Sequence, residues 1–390
     1  MLRPIRLLVL SAVGGAVTGL VVFAFLRSLD AVTDIRLETP WLVWLLPVVG
    51  IVVAATYHAF GGRAKGGTPG VIAEANVLTH GAPARMAPLI FAGASAGHLV
   101  GASVGREGAA LQLAASVTDT GARALRLGSA DRRYLLAASL AGGWGAAFGV
   151  PVTGVVFTWC FARHQRLRTV PLSIASALVG RAVVQRLGYD LSSGVTVPDT
   201  DWGPRLFAAL VLAGIAFGLL ARLFVALLHG VRRVTARRIH APAWRAAAGG
   251  VVLIGYFAVF GRDTMGLSLP LLREALAGDH VRWFIAPLKL VATALSLGTG
   301  FVGGEVAPLF VIGGTAGASL AGFLALDGSR RLLLAALGST VTFAAAASAP
   351  MLGVVLAVER FGWHALVPAL VVSCSTRVAA GRPGLYTAHH

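Results

Sequence analysis

Hydrophobic residues along this chain form long blocks separated by short polar breaks. Residues 7–26 carry no charge, and about 20 apolar residues are enough to cross the hydrocarbon core of a bilayer as a helix. A cleavable signal peptide would have a shorter apolar stretch and a small-residue cleavage site. The first block therefore predicts a membrane-spanning helix. Further apolar blocks lie at 40–60, 86–101, 108–126, 134–146, 151–162, 169–186, 204–230, 243–260, 283–297, 306–326, 331–347, 350–358 and 364–377.

Several of these blocks are too short to span a bilayer, and glycine or proline interrupts them in the middle of apolar context. Broken helices occur at membrane depth only where they line a cavity or are buried in protein. They are also a common way to present helix ends to an ion. The pattern therefore predicts an all-α polytopic membrane protein that contains broken helices, rather than a simple bundle.

The composition supports the same class. Of 390 residues, 56% are hydrophobic and 13% are charged, whereas soluble domains carry about 25% charged residues. So little charge cannot coat a globule of this size with polar surface. The two cysteines, Cys160 and Cys374, lie inside apolar blocks and are interpreted as core residues rather than a disulfide or a metal site. We expect no metal and no cofactor.

Positive charge is concentrated in the polar breaks. The formal net charge is +17, and arginine clusters occur at 163–168 and 232–238. Short basic loops are typical of the cytoplasmic side of membrane proteins, whereas nucleic-acid binding requires a basic, folded surface. We therefore expect a multi-pass protein of a cell membrane, such as a bacterial plasma membrane. The lipid bilayer would be a partner, the N-terminus would be cytoplasmic, and nucleic acid would not be bound.

The chain repeats itself at a spacing close to 198 residues. Glu107, in a Gly-Arg-Glu-Gly-Ala stretch, has a counterpart 198 residues later in Glu305, and Pro151 matches Pro350 at a spacing of 199. An arginine pair before a leucine-rich stretch also recurs at 198. Internal repeats whose interruptions fall at matching places point to the binding site of a transporter.

The repeat predicts two structural halves of one transmembrane unit, residues 1–195 and 196–390, with no separate soluble domain. The sequence pattern itself is compatible with either a parallel or an inverted relation between these halves.

Three apolar helices are predicted to begin at glycine-rich turns that precede Pro69, Ala109 and Pro308. The first N–H groups of a helix lack intrahelical partners and carry the positive end of the helix dipole, so such helix starts attract anions. If the three starts converge, their amides would surround one anion weakly enough for it to leave again. The predicted anion-binding residues at these starts are Gly66, Gly67, Thr68, Gly105, Arg106, Gly108, Val306 and Ala307.

Glu107 and Glu305 are the candidates for gating and proton coupling, because ionisable residues at membrane depth are functional by default. A carboxylate inside a ring of amides can occupy the anion's place. When it takes up a proton, it loses the negative charge that holds it there and can leave. Glu107 therefore predicts exchange of an anion against protons. The structural alternative for each glutamate is a helix-capping carboxylate, and Glu359 is interpreted in that way.

These motifs resemble those of the CLC family of chloride channels and transporters. The sequence GREGAA at 105–110 is similar to the family's GREGP-type motif, and GGEVAP at 303–308 is similar to its second-half GxFxP region. The stretch at 148–157 resembles the segment that follows the family's dimer-side helices. Tyr386 stands where the family keeps its pore tyrosine, and the resemblance covers residues 60–386.

The resemblance implies an inverted repeat of broken and tilted helices and a homodimer with one pore in each subunit. It assigns Glu107 as the gating glutamate. Gly66, Gly67, Val306 and Tyr386 would flank the anion.

Departures from the family pattern narrow the expected function. Glycines stand where the family has its chloride-coordinating serine, Cys160 stands where chloride antiporters place an inner proton-relay glutamate, and Glu305 lies inside the second-half motif. This combination is similar to the fluoride-exporting branch, which exchanges F⁻ for H⁺. Ala307 replaces the threonine common in that branch, and glycine replaces its methionine or asparagine, so chloride stays open as the transported ion.

Two alternatives remain beside fluoride/proton antiport. One is a chloride/proton antiporter or a passive anion channel of the same fold, which the sequence does not separate from an exchanger. The other belongs to a different class: GASAG at 93–97 matches the G-x-S-x-G pattern of serine hydrolases, with Ser95 as nucleophile and His98 nearby. Such an elbow should follow a strand and open a helix, whereas this one lies in a continuous helical block. We therefore expect a transporter and not an enzyme.

Overall fold

The computed structural model describes residues 2–163, 166–192, 194–381 and 384–386. Positions 164–165 of the basic break at 163–168 lie outside the described residues. Sixteen α-helices and three short 3-10 turns account for most of the described chain. The first eight helices are α1 (Leu2–Glu38), α2 (Leu46–Phe60), α3 (Gly67–Asn76), α4 (Met86–Leu99), α5 (Glu107–Ala124), α6 (Ser129–Phe148), α7 (Pro151–Phe161) and α8 (Arg166–Arg186).

A second set of eight helices follows the connection 187–203. Long, short and broken helices recur in this set in much the same order as in the first. The helices are α9 (Pro204–Arg238), α10 (Pro242–Phe260), α11 (Leu269–Leu276), α12 (Ile285–Thr299), α13 (Val306–Phe323), α14 (Gly328–Ala346), α15 (Pro350–Phe361) and α16 (Leu366–Ala380).

Seven helical segments of the described chain are long and apolar enough to cross a membrane. The two longest, α1 and α9, have 37 and 35 residues, which at 1.5 Å per residue exceeds a hydrocarbon core of about 30 Å. The sequence predicted the first span at 7–26, but α1 continues beyond both ends of that block. The predicted block at 40–60 is divided, because a 3-10 turn at Pro40–Leu45 precedes α2.

Helices that begin inside the protein confirm the prediction of broken, all-α architecture. α5 and α13 have 18 residues each, and almost every residue in their first three turns is buried. Both begin after irregular segments, at 100–106 and 300–305, of which the first is almost wholly buried and the second is partly buried. Pro151 and Pro350 occupy the first positions of α7 and α15, where the missing N–H of proline costs nothing. The breaks therefore fall where glycine and proline indicated them.

Glycine allows the surrounding helices to pack closely enough to hold these breaks. A Cβ on Gly313 of α13 would lie 1.9 Å from the carbonyl oxygen of Gly338 in α14. A Cβ on Gly145 of α6 would lie 2.2 Å from the carbonyl oxygen of Ala177 in α8. Helix pairs in membranes rely on such small-residue contacts, so these crossings fix the framework around the helix starts.

The structural register of the repeat differs by one residue from the register of the matching letters. α5 and α13 begin 199 residues apart, as do α6 and α14, and a backbone bridge pairs Gly105 with Gly304 at the same spacing. In this register Arg106, not Glu107, is the counterpart of Glu305. The prediction that the two glutamates are equivalent was therefore wrong, because the helix starts set the backbone register and identical residue types do not.

Candidate functional site

The turns before α5 and α13 lie side by side. The amide of Gly105 donates to the carbonyl of Gly304 at 2.6 Å, and the amide of Gly304 donates back to Gly105 at 2.7 Å, in antiparallel sense. A Cβ on Gly304 would lie 2.6 Å from the backbone nitrogen of Gly108, and one on Gly105 would lie 2.7 Å from Pro308 Cδ. Only glycine permits this approach. Segments that are two hundred residues apart in sequence therefore present their helix starts to one place.

Glu107 occupies the amide end of α13. Its Oε2 accepts a hydrogen bond from the backbone N–H of Ala307 at 3.0 Å and from the N–H of Arg106 at 3.2 Å. The side chain is 3% exposed. Because the first N–H groups of a helix have no intrahelical partner, the carboxylate supplies the negative charge that this end attracts. The Glu107 carboxylate thus stands where an anion would bind.

Arg106 holds the other oxygen of the same carboxylate. Its Nε lies 3.2 Å from Glu107 Oε1, and its Nη1 donates to the Tyr189 hydroxyl at 3.1 Å. Tyr189 in turn donates to Asp30 Oδ1 at 3.3 Å. Sequence reasoning missed Tyr189 and Asp30, because neither lies in a motif. Their acidic and aromatic character in an apolar chain was the only available signal.

The start of α3 completes the convergence. Thr68 is buried, and its hydroxyl donates to the carbonyl of Gly108 at 3.2 Å. Gly67 has a φ of +55°, a backbone conformation that glycine adopts at low cost. Gly66, the residue before α3, lines a large cavity. The three helix starts that the sequence singled out therefore meet.

Glu305 and Tyr386 lie beside each other near the start of α13. Glu305 is the residue that precedes the first turn of α13, and a Cβ on Gly108 would be 3.7 Å from its Oε2. The Tyr386 ring contacts Phe157 and Phe161 edge-on, with centroids 5.8 and 5.3 Å away. Its buried hydroxyl lies beside the Glu305 carboxyl group and interacts with it.

Two cavities approach this centre from opposite ends of α7 and α15. A cavity of about 1550 Å³ lies against the end of α7 and the start of α15, and reaches Tyr386. A smaller one of about 350 Å³ lies against the start of α7 and the end of α15, beside Arg360. Arg360 is close to Arg106 and Glu107 in space. The arginines on the wall of the larger cavity are Arg63, Arg163, Arg166 and Arg377.

Cys160 is half-buried on the wall of the larger cavity, whereas Cys374 is exposed, and both thiols are free. Cys160 and Glu359 are 199 residues apart, so they hold equivalent positions in the two sets of helices. The equivalent position thus carries a thiol beside one cavity and a carboxylate beside the other.

Glu359 caps a helix of the first set, in agreement with its interpretation as a capping residue. Its carboxylate accepts from the N–H groups of Val152 and Thr153 at 2.7 and 2.6 Å, and from the Thr153 hydroxyl at 2.6 Å. A carboxylate from the second set of helices therefore sits on α7, much as Glu107 from the first set sits on α13.

The residues of the hydrolase alternative do not form a nucleophile and base. Ser95 lies inside α4, and its Oγ is 3.0 Å from Ser28 Oγ. The His98 ring bonds the carbonyl of Ala94 through Nδ1. Their hydrogen bonds thus lead in different directions, and the strand-to-helix turn that such an elbow requires is replaced by a continuous helix.

Similarity to known proteins agrees with this architecture. The family model described as voltage gated chloride channel matches residues 49–381. A chloride/fluoride channel protein of Pseudomonas syringae pv. tomato is 34% identical over 377 residues, which cover 93% of this chain and 82% of that protein. The H(+)/Cl(-) exchange transporter ClcA of Yersinia pseudotuberculosis serotype IB is 29% identical over 422 residues, covering 99% and 87%.

Solved structures extend the comparison. The crystal structure of a CLC-type fluoride/proton antiporter superposes with a TM-score of 0.91 at 27% identity, covering 98% of this chain and 96% of that one. A slow cyanobacterial Cl-/H+ antiporter superposes with a TM-score of 0.84 at 19% identity. The fold and the joined helix starts define a polytopic membrane protein with the CLC architecture. The chain belongs to the voltage gated chloride channel family.

Proposed function

We propose that the protein is a fluoride/proton antiporter that exports F⁻ in exchange for H⁺, with Glu107 as the gate. Support comes from the relative named for chloride and fluoride and from the structural similarity to a fluoride/proton antiporter. Glu305 in the second-half motif adds to it. Similarity to H(+)/Cl(-) exchangers keeps chloride/proton antiport as the second candidate, and a passive anion channel is the third.

The main support for this proposal is the hydrogen bond that Glu107 Oε2 accepts from the backbone N–H of Ala307. The carboxylate oxygen stands in for the halide, because both are anions that a helix start binds through N–H groups. Protonation removes the negative charge and replaces an acceptor lone pair with a donor. The protonated side chain then leaves the amides, and the halide takes its place. Anion entry and proton uptake are coupled because one site serves both.

Backbone amides would supply most of the anion's ligands. Gly66, Gly67 and Thr68 contribute the α3 start, while Gly105 and Gly108 contribute the α5 start. Val306 and Ala307 offer N–H groups at α13, and the Tyr386 hydroxyl would donate from the side of the larger cavity. Arg106 and Glu305 set the local charge on either side. Ala307 has no side-chain hydroxyl, so the amides and Glu305 would have to distinguish fluoride from chloride.

The two cavities would give this site access from both sides of the membrane. Arginines along the larger cavity would raise the local anion concentration, and the positive-inside tendency places that cavity at the cytoplasm. We further propose a homodimer in a bacterial plasma membrane, with halves 1–195 and 196–390 related by inversion. The dimer and the inversion rest on the family resemblance, and the opposite courses of α7 and α15 between the cavities agree with the latter.

Purified protein in liposomes tests the proposal. With a fluoride gradient, fluoride efflux should be accompanied by proton uptake, and Glu107→Gln should abolish the proton movement. Glu274→Gln is the matched control, because Glu274 is an exposed carboxylate on α11. Halide efflux without proton movement would indicate a channel instead. Proton movement driven by chloride but not by fluoride would assign the transport to chloride.

A further inference from the structure

The Arg106 side chain has two hydrogen-bond partners, and only one of them, Glu107, is the proposed gate. Its Nε faces Glu107, whereas its Nη1 donates to Tyr189. Tyr189 belongs to the connection after α8, and its own partner, Asp30, lies in α1. The gate of the first set of helices is therefore linked to two elements that carry none of the motif.

The hydrogen bonds that link Arg106, Tyr189 and Asp30 all run in one direction. Tyr189 has one hydroxyl, which accepts from Arg106 at 3.1 Å and donates to Asp30 at 3.3 Å. Each residue thus donates a hydrogen bond to the next one, and the last acceptor is the Asp30 carboxylate. The Arg106 side chain is 13% exposed, so its long, flexible stem depends on these partners for its position.

We infer that Tyr189 and Asp30 are positioning residues for the gate, acting through Arg106. This inference rests on the proposed function, because it concerns the rate at which Glu107 leaves the anion seat. A fixed guanidinium holds Glu107 closed by a charge-assisted hydrogen bond. Loss of the Tyr189 hydroxyl lets the guanidinium rotate away, which weakens that hold without removing its charge.

The charges around Glu107 support this arrangement over a merely structural one. Arg360 approaches from α15, Glu305 from the start of α13 and the Tyr386 hydroxyl from the larger cavity. Of the cations near Glu107 in the described chain, Arg106 makes a hydrogen bond with its carboxylate. The orientation of this side chain therefore adds to the hold that the N–H groups of Ala307 and Arg106 have on the gate.

The test compares Tyr189→Phe with wild type in the liposome assay. We expect fluoride efflux to rise about two- to tenfold, the factor that corresponds to losing one hydrogen bond of ordinary strength, with fewer protons moved for each fluoride. Asp30→Asn should act in the same direction and more weakly. Tyr256→Phe and Asp34→Asn are the controls, because Tyr256 bonds a distant carbonyl and Asp34 is exposed on the same helix as Asp30.

A double-mutant cycle separates positioning from packing. In a Glu107→Ala background, Tyr189→Phe should change efflux no further, since the carboxylate on which Arg106 acts is gone and no acceptor replaces it. An unchanged or lower rate in the single variant, or an equal effect in both backgrounds, would overturn the inference. If wild type carries chloride instead, the same cycle is run with chloride. A wild type that moves no anion would refute the proposed function as well, whereas an active wild type with an inert Tyr189→Phe refutes only this inference.

Discussion

Glu107 is bound by the backbone of its own turn, the backbone of a distant helix and the side chain of its neighbour. The bonds from Ala307, from the Arg106 N–H and from Arg106 Nε all reach one carboxyl group. The resulting geometry depends on glycines that keep the two turns in contact. At the residue scale, the critical feature is therefore the absence of a Cβ at the joined turns, as much as the charge of Glu107.

Gly304→Ala should abolish transport while leaving much of the protein folded. The new Cβ would lie 2.6 Å from Gly108 N, and the opposing backbone cannot yield without separating the two helix starts. Halide efflux for each amount of folded protein, measured in liposomes, checks this. Gly121→Ala on α5 is the control, since a Cβ there meets nothing within 4 Å. Normal exchange by Gly304→Ala would show that the contact of the turns is unnecessary.

At two helix starts of the described chain, a carboxylate from one set of eight helices accepts hydrogen bonds from N–H groups of the other set. Glu107 sits on α13 and Glu359 sits on α7, but only Glu107 lies where the three starts meet. In the sequence, Pro151 and Pro350 are the first residues of two apolar blocks, and in the structure each is the first residue of a helix. Proline marks such positions locally, because its missing N–H costs nothing there. It could not indicate which carboxylate would come to rest on which start.

Glu359→Ala should destabilise the protein without changing the proton coupling of the remaining transport. Removal of the cap leaves the Val152 and Thr153 N–H groups unpaired, and a lost helix cap costs about 0.5–2 kcal/mol. Thermal unfolding in detergent should show a lower midpoint than in Glu274→Ala, which removes an exposed carboxylate. A loss of proton coupling with unchanged stability would instead place Glu359 in the transport mechanism.

On the scale of the whole molecule, two unequal cavities flank the site. The larger one, with Arg63, Arg163, Arg166 and Arg377 on its wall, is expected at the cytoplasmic side. Two of these arginines, Arg163 and Arg166, belong to the basic break at 163–168, and short basic loops are typical of the cytoplasmic side. The cavities lie at opposite ends of α7 and α15.

Cys160 offers a direct test of this orientation. In a Cys374→Ser background, a membrane-impermeant thiol reagent should label Cys160 in inside-out vesicles and leave it unlabelled in intact cells, because the thiol lines the larger cavity. Mass spectrometry of the labelled protein measures the extent, and Cys160→Ser supplies the background. Labelling of intact cells at an equal rate would place the larger cavity on the outer side.

The sequence by itself determined the class of the protein, the positions of most helix breaks and the three amide-bearing starts. These features are local, because hydropathy, glycine and proline act through each residue's own backbone and its burial. It also identified Glu107, Glu305 and Tyr386, which the fold brings to one centre. The division into halves 1–195 and 196–390 stays a prediction.

Only the tertiary structure decided how these parts combine. It placed Glu107 on the amide of Ala307 and shifted the register so that Glu305 matches Arg106. It also brought the Tyr189 hydroxyl to the Arg106 guanidinium and Asp30 to that hydroxyl. Such contacts depend on how helices from distant parts of the chain cross. Those crossings are set by close packing at glycines such as Gly313 and Gly338. The local sequence around a glycine does not indicate which helix will pack against it.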